Sequence, residues 1–271
     1  MTNTALNTTP VDFGQGICAG FTRSIDTGGG VQNFSELFDN TSRRADTSPA
    51  ETEPTAVTRR RQLAWHTRMR DTCWLHQVHG HTVVHAEAGN ADLLLPQIEP
   101  SSELPAADAM WSTTPGLLLC IRTADCVPVL LSLNGEVVGA AHAGWQGLAE
   151  QRGQGVLSAL VACMLDQRSA TAANLRAWVG PCICRFHYEV GEDVWRHFDR
   201  WPQCLSEHKN PAKRYLDLRG LAAAQLRALG VLDIALDPAC TWADEQLFSH
   251  RQHTKLNTAQ GRFVSYIGLQ P

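Results

Sequence analysis

Two histidines and one cysteine stand where apolar runs of the sequence break at small residues. His79 precedes a glycine, Cys126 follows a Thr-Ala-Asp run, and His142 precedes an Ala-Gly pair. Side chains at strand ends beside small residues can converge on one cleft. Two imidazoles and one thiolate form a ligand set for zinc, and three protein ligands with one open position are typical of catalytic zinc. The pattern therefore predicts a metal site of His79, Cys126 and His142.

The connection between Cys126 and His142 tests this hypothesis. The two residues end apolar arms joined by Asn134-Gly135, and both residues of that pair tolerate the positive φ of a tight hairpin. A two-residue turn would place Val127 opposite His142 and would direct Cys126 to the other face of the sheet. Pro128 cannot donate to a strand ladder and favours an irregularity nearby. We therefore predict an odd loop, a bulge or a strand end between residues 126 and 142.

Residues next to the three ligands could bind substrate or transfer a proton. Gly144, Gln146 and Gly147 stand at a predicted helix start, where backbone N–H groups bind anions without basic side chains. The alternative interpretation is a tight corner between a strand and a helix. Asp125 adjoins Cys126 and is a predicted general acid, or a hydrogen-bond partner of a zinc histidine.

The same residue types also allow other kinds of site. Cys126 as nucleophile with His142 as base would make a cysteine hydrolase or deamidase. His85-Ala-Glu87 and Pro181-Cys-Ile-Cys184 partly match the zinc nucleobase deaminase pattern, which requires two residues between its cysteines where this chain has one. Cys182 and Cys184 are therefore interpreted as core or near-site thiols. A structural zinc would instead have a fourth protein ligand.

Composition narrows the class of protein. The chain has 271 residues, of which 44% are hydrophobic, so it can bury a large core. Its net charge of -4 argues against broad electrostatic binding to nucleic acid. Nine cysteines, an odd number scattered along the chain, fit a reducing compartment. With no secretory signal and no apolar run of membrane-spanning length, we predict a cytoplasmic protein without a membrane partner.

The predicted elements are strands and helices in loose alternation. We expect one α+β domain over residues 1–271, with mixed sheets packed against outer helices, a polar tail over residues 1–10 and an exposed loop over residues 39–58. A helix is predicted from Thr55 to Trp65, and a second is predicted after Trp145 from an apolar spacing that reaches Met164. Further helices are predicted over residues 189–198 and 216–229, the latter stopped by Gly230.

Several short motifs along the chain, taken together, match those of a known family. At Gln77-Val-His79-Gly, Thr123-Ala-Asp-Cys126 and His142-Ala-Gly-Trp145, the chain resembles the purine nucleoside phosphorylases formerly called multicopper polyphenol oxidoreductases, or laccase-like proteins. Matches at Tyr188-Glu-Val-Gly191 and Phe248-Ser-His-Arg251 follow in the expected order.

The resemblance implies a fold, an activity and a set of ligands. It implies an α+β fold similar to toxin deamidases that use a Cys/His pair. It also implies a zinc enzyme that cleaves adenosine, inosine and methylthioadenosine with phosphate and deaminates adenosine, with the metal on His79, Cys126 and His142. A copper-dependent polyphenol oxidase is the alternative. Arg251 is an expected phosphate ligand, whereas Gln146 and Gln252 stand where relatives usually have arginine, which weakens the expected phosphate site.

Overall fold

The computed structural model describes residues 6–24, 34, 56–87, 104–150, 153–166 and 170–271. The strands, numbered in chain order, are β1 Thr8–Pro10, β2 Ile17–Thr22, β3 Asp71–Cys73, β4 Val83–His85, β5 Ala109–Ser112, β6 Leu117–Thr123, β7 Val127–Leu133, β8 Val137–Ala143, β9 Leu175–Val179, β10 Glu189–Gly191, β11 Leu205–Glu207, β12 Lys213–Leu216, β13 Asp233–Leu236 and β14 Phe263–Leu269. The α-helices are α1 Ala56–Thr67, α2 Trp145–Leu148, α3 Val156–Asp166, α4 Glu192–Trp195, α5 Leu218–Ala228 and α6 His250–Leu256.

The strands form three sheets with mixed directions. One sheet has five strands in the order β1-β2-β14-β6-β3, and a second has six in the order β13-β9-β7-β8-β5-β4. A third, small sheet has the order β10-β12-β11. Most neighbours are antiparallel, while β3 with β6, β4 with β5, and β9 with β13 are parallel. This arrangement is the predicted α+β class with mixed sheets.

The two larger sheets pack face to face, and the alternation of side chains along each strand explains why. In β6, Leu119 and Ile121 enter the layer between the sheets, whereas Leu118 packs on the outer face. Successive strand residues point to opposite faces, so a strand that is apolar throughout must be covered on both sides. Phe21 of β2 stacks on Trp178 of β9 across the layer, with ring centroids 5.7 Å apart.

Helices cover the outer faces. On the six-stranded sheet, α3 and α5 contribute buried residues such as Leu160 and Leu221 to the same core as the odd-numbered residues of β7. Gly139 of β8 permits this packing, since a Cβ there would lie 2.6 Å from the Met164 sulfur. Leu63 of α1 packs on the outer face of the five-stranded sheet. The result is a helix-sheet-sheet-helix arrangement.

Several predicted elements differ in detail. The helix expected after Trp145 is two helices, because the chain turns at Gly153, whose φ is 83°, before α3 begins. Residues 189–191 form a strand before the short helix α4, so the helix predicted over residues 189–198 starts later. The Gly230 stop is confirmed, with φ 94°.

The predicted N-terminal tail and exposed loop are described only in part. Thr8–Pro10, within the predicted polar tail, pairs with β2 as an edge strand. Residues 56–58 of the predicted loop belong to α1, and residues 39–55 lie outside the described part. In the part of the chain that the structure describes, no helix combines the length and apolarity needed to cross a membrane.

Candidate metal centre

The hairpin of β7 and β8 settles the face on which Cys126 lies. Leu133 pairs with Val137, so the connection holds three residues rather than two, and Pro128 stands opposite His142. The odd loop predicted from the sequence is therefore confirmed. Because side chains alternate along a strand, Cys126 and His142 share the face that looks toward the five-stranded sheet. The thiol and the imidazole can meet without a bulge.

His79 completes a cluster at the edge of the layer between the two large sheets. The ligand atoms of His79, Cys126 and His142 all lie within 4.8 Å of one another. The two imidazole rings meet edge to face, with centroids 4.7 Å apart. His142 is 3% exposed, whereas His79 is open to solvent. The cluster thus has one buried side and one accessible side, as a site with an open ligand position requires.

Asp108 organises the cluster, and sequence reasoning missed it. The residue immediately precedes β5, whose Ala109 pairs with Ala141 of β8, so Asp108 is the cross-strand neighbour of His142. Its Oδ1 lies 2.7 Å from His142 Nδ1 and accepts the backbone N–H of His79 at 2.9 Å. Its Oδ2 accepts the N–H of Gly80 at 2.6 Å. One carboxylate therefore orients one predicted ligand and fixes the loop that bears another.

The buried carboxylate of Asp108 stays ionised. Burial alone would raise its pKa, yet hydrogen bonding and attraction from His142, together with the N–H groups of Val78 and Gly80, hold the pKa below its usual range. A carboxylate on the second nitrogen of a metal-binding histidine is the partner that such histidines usually have. The only sequence signal was an acidic residue inside the apolar run 106–111.

Gly144 forms a wall of the cluster. A Cβ at this position would lie 3.0 Å from His79 Cδ2, 3.1 Å from the Cys126 sulfur and 3.8 Å from His142 Cε1. No side chain fits there without displacing a predicted ligand. The glycine thus leaves space beside all three side chains, and the anion contact predicted for its backbone remains a prediction.

The thiol and the imidazole of the cluster favour their charged forms. Burial would raise the pKa of Cys126, but attraction to His142 and hydrogen bonds from both histidines outweigh it and lower the pKa to about 6. Burial likewise opposes the charge on His142, yet Cys126 and Asp108 raise its pKa to about 9. Without a metal, the centre is a thiolate-imidazolium pair. A thiolate is also the form of cysteine that binds metals.

The Asp125 carboxylate has partners other than the two histidines in the described structure, which differs from one of the two roles predicted for it; the role of general acid remains a prediction. The carboxylate accepts the Thr241 hydroxyl on Oδ1, and the backbone N–H of Arg251, at 2.6 Å, on Oδ2. It therefore ties the corner between β6 and β7 to the first turn of α6. Asp108, and not Asp125, is the carboxylate in contact with His142. Asp125 itself adopts φ 92°, a strained conformation that turns the chain sharply just before Cys126.

The predicted phosphate residues are divided between two places. Gln146 is exposed on α2, a helix of one turn that begins at Trp145, directly after Gly144. Gly147 is buried, with Gly80 O only 2.9 Å from where its Cβ would be. Arg251 lies over the ring of Tyr188, 5.0 Å from its centroid, and donates from Nη1 to Glu189 O. One hydrogen bond thus already occupies the Arg251 guanidinium, although it keeps further donors.

Tyr188 is a second residue that we did not single out as part of the site. It is buried, and burial raises the pKa of its hydroxyl, with a further rise from the Cys126 thiolate and an opposing effect of Arg251. Its ring therefore lies near both the cluster and the arginine. The Tyr188-Glu-Val-Gly191 motif was the sequence signal for it.

Comparisons with known proteins identify the family. The family described as multi-copper polyphenol oxidoreductase laccase matches residues 36–270. The chain belongs to this family.

Curated relatives share a single functional name. The chain is 36% identical over 204 residues to a purine nucleoside phosphorylase of Xylella fastidiosa, covering 72% of each protein. It is 36% identical over 228 residues to one of Pseudomonas aeruginosa, covering 80% of this chain and 82% of that protein. The purine nucleoside phosphorylase YfiH of Escherichia coli is 35% identical over 202 residues, covering 72% and 73%.

Solved structures share the fold. A Neisseria meningitidis protein superposes with a TM-score of 0.74 at 27% identity, covering 98% of this chain and all of that one. YlmD of Geobacillus stearothermophilus gives 0.74 at 26% identity, covering 95% and 93%. The fold described above is thus that of known members of this group.

Proposed function

We propose that this chain is a zinc-dependent purine nucleoside phosphorylase whose metal is held by His79, Cys126 and His142. Its reactions would be cleavage of adenosine, inosine and methylthioadenosine by phosphate, which releases the base and a ribose 1-phosphate or methylthioribose 1-phosphate, and deamination of adenosine. The observation that carries the proposal is the convergence of the three ligand atoms within 4.8 Å. The names of the relatives support the reaction class.

The residues of the cluster fit zinc by number, type and surroundings. Two imidazoles and one thiolate match catalytic sites that keep one position open. Asp108 on His142 Nδ1 leaves Nε2 of that ring to face the metal. Bound zinc would supply Lewis acidity and lower the pKa of a water toward about 7.

The chain's own groups would hold the substrate. Phosphate carries about two negative charges and needs donors near the cluster. The backbone N–H groups at the start of α2 and the Arg251 guanidinium, which is held over the ring of Tyr188, are the proposed donors. The exposed side of His79 is the proposed route of entry.

Metal content and phosphate dependence, measured on one preparation, test the proposal. We expect about one zinc per chain at this site, with base release from the three nucleosides that requires added phosphate. Cys126→Ser should lose the zinc of this site and the activity, whereas Cys163→Ser, which changes a partly buried thiol on α3, should keep both. Zinc-loaded protein that releases no base from any of the three nucleosides would overturn the proposal.

A second candidate function is favoured by the thiolate-imidazolium pair. Cys126 as nucleophile, His142 as base and Asp108 as the carboxylate that orients His142 correspond to the three members of a catalytic triad. This arrangement would suit the cysteine hydrolase or deamidase implied by the predicted similarity to toxin deamidases. Because a metal-bound thiolate is not free to attack, activity that rises on chelation would favour the cysteine enzyme. Copper loading followed by a polyphenol assay tests the oxidase named in the family description.

A further inference from the structure

A second cluster of thiols and imidazole lies outside the centre described above. The ligand atoms of Cys184, His187 and Cys240 all lie within 4.8 Å of one another. His187 Nδ1 is 3.2 Å from the Cys184 sulfur and 3.6 Å from the Cys240 sulfur. Sequence reasoning treated Cys184 as a core or near-site thiol, because the sequence does not show that Cys240 lies beside it.

The spacing of these atoms suits one metal ion. Tetrahedral zinc with bonds of about 2.3 Å to sulfur and about 2.0 to 2.1 Å to nitrogen separates those two ligand atoms by about 3.6 Å. The Cys240 to His187 distance has this value, and the Cys184 to His187 distance is a few tenths of an ångström shorter. A small outward movement of one side chain would complete the geometry.

The surroundings hold the ligands in place. Cys184 and His187 are three residues apart, a Cys-x-x-His spacing. The His187 N–H donates to Cys184 O and closes a turn between them. The Cys184 N–H donates to the Cys240 sulfur at 3.2 Å, a bond that stabilises negative charge on that sulfur. The His187 ring stacks on Trp242, with centroids 5.4 Å apart, so its orientation is fixed.

All three side chains are partly exposed, which gives a cation a route from solvent. The cluster also adjoins the segments that hold Asp125. Ile183 N–H donates to Asp125 O, and Thr241, next to Cys240, donates both to the Asp125 carboxylate and, through its N–H, to Cys182 O. A metal on the cluster would therefore join the two chain segments that position the corner before Cys126.

We propose that Cys184, His187 and Cys240 form a second metal site, which takes a thiophilic cation of the zinc class and clamps the loop 181–188 to the turn 240–244. Metal binding at this site is independent of the reaction proposed for the first centre. Three protein ligands leave the fourth position to water.

Differential alkylation of the full-length chain, read peptide by peptide, tests the proposal. Added Zn²⁺ should slow alkylation of Cys184 and Cys240 at least about tenfold, because a metal-bound thiolate is not free to react. In His187→Ala this protection should be lost while that of Cys126 remains. In His79→Ala, Cys126 should lose its protection by Zn²⁺ while Cys184 and Cys240 keep theirs. Loss of metal binding at one site is therefore distinguishable from loss at the other.

Metal stoichiometry provides the second measurement. Cys184→Ser and Cys240→Ser should each bind one zinc fewer than the unmodified protein, while the matched change Cys163→Ser should leave the count unaltered. Unchanged alkylation of Cys184 and Cys240 on addition of Zn²⁺ would overturn the proposal. It would also be overturned if Cys184 and Cys240 formed a disulfide in protein prepared with a reductant and Zn²⁺, detected as a cross-linked peptide pair.

Discussion

Asp108 connects the backbone of one predicted ligand to the side chain of another. Its carboxylate accepts N–H groups from the 78–80 loop and contacts His142 Nδ1. Removing its charge should disturb the position of His79 and the basicity of His142 together. At the scale of single residues, it is the group on which the geometry of the centre depends most.

For Asp108→Asn we expect zinc affinity to fall about 10- to 100-fold, as is typical when a carboxylate partner of a metal-binding histidine is lost. The measurement is competition with a chelator of known affinity. Asp237→Asn is the matched control, since Asp237 also accepts a backbone N–H but lies on a turn after β13. Equal affinity in the two variants would contradict this role of Asp108.

Gly144→Ala should reduce zinc binding by crowding the ligands, because the new methyl group would lie 3.0 Å from His79 and 3.1 Å from the Cys126 sulfur. Gly191→Ala is a close control. Both glycines precede four-residue helices with similar extended backbones, but a Cβ at Gly191 meets only the flexible carboxylate of Asp193. Metal content measured after dialysis should fall in the first variant alone.

The pH dependence of the metal-free centre follows from its two shifted pKa values. The lowered pKa of Cys126 adds to the free energy of unfolding. This contribution is full above the usual thiol pKa and is lost as pH falls through about 6. The raised pKa of His142 also adds to the free energy of unfolding. This contribution is full below the usual imidazole pKa and is lost as pH rises through about 9.

In chelator-treated protein we therefore expect the alkylation rate of Cys126 to rise through a midpoint near pH 6. Burial raises the pKa of Cys18, which should react only at much higher pH and serves as the internal comparison. His142→Ala should move the Cys126 midpoint upward. A midpoint that does not respond to this substitution would show that the imidazolium is not what stabilises the thiolate.

At the scale of elements, the sequence predicted the hairpin well because the evidence was local. The positions of Cys126 and His142, the Asn134-Gly135 pair and Pro128 together predicted an odd loop, a bulge or a strand end. The structure has the odd loop, a connection of three residues. The break between α2 and α3 was missed because the apolar spacing continues across it. Gly153 and Gly155, which separate the two helices, are a weaker signal in the sequence than this periodicity.

Pairing between distant segments could not be predicted in the same way. Asp108 is next to His142 only because β5 pairs with β8, and Cys184 is next to Cys240 only because residues 182 and 240 form a bridge. Both contacts depend on the whole arrangement of strands. Such pairings cannot be derived from one sequence, which explains why the sequence indicated the three clustered residues but not the contacts that hold them.

The short helix α2 provides a test of phosphate binding. Gln146 is exposed there, so Gln146→Arg adds a cation without displacing a buried contact. We expect a lower KM for phosphate, because guanidinium-phosphate contacts are charge-assisted and bidentate, with adenosine deamination unchanged. Gln252→Arg is the contrasting change, since Gln252 already donates to Trp242 O. If Gln146→Arg leaves the phosphate KM unaltered, the start of α2 is not the anion site.

At the scale of the whole molecule, β14 supports both large sheets. It lies between β2 and β6 in the five-stranded sheet, and its Ile267 is fully buried in the layer between the sheets. Ile267→Ala should lower the free energy of unfolding by about 2 to 5 kcal/mol. Leu232→Ala, at a side chain that is 78% exposed, should change it by less than about 0.5 kcal/mol. Urea unfolding followed by circular dichroism measures both.

The central place of β14 also governs when folding can finish on the ribosome. Every strand of the six-stranded sheet lies before residue 237, so that sheet can assemble while synthesis continues. The five-stranded sheet cannot close until residues 263–269 have left the exit tunnel, and until then β2 and β6 present open edges. The nascent chain therefore passes through a stage in which these two edges are open to edge-to-edge association.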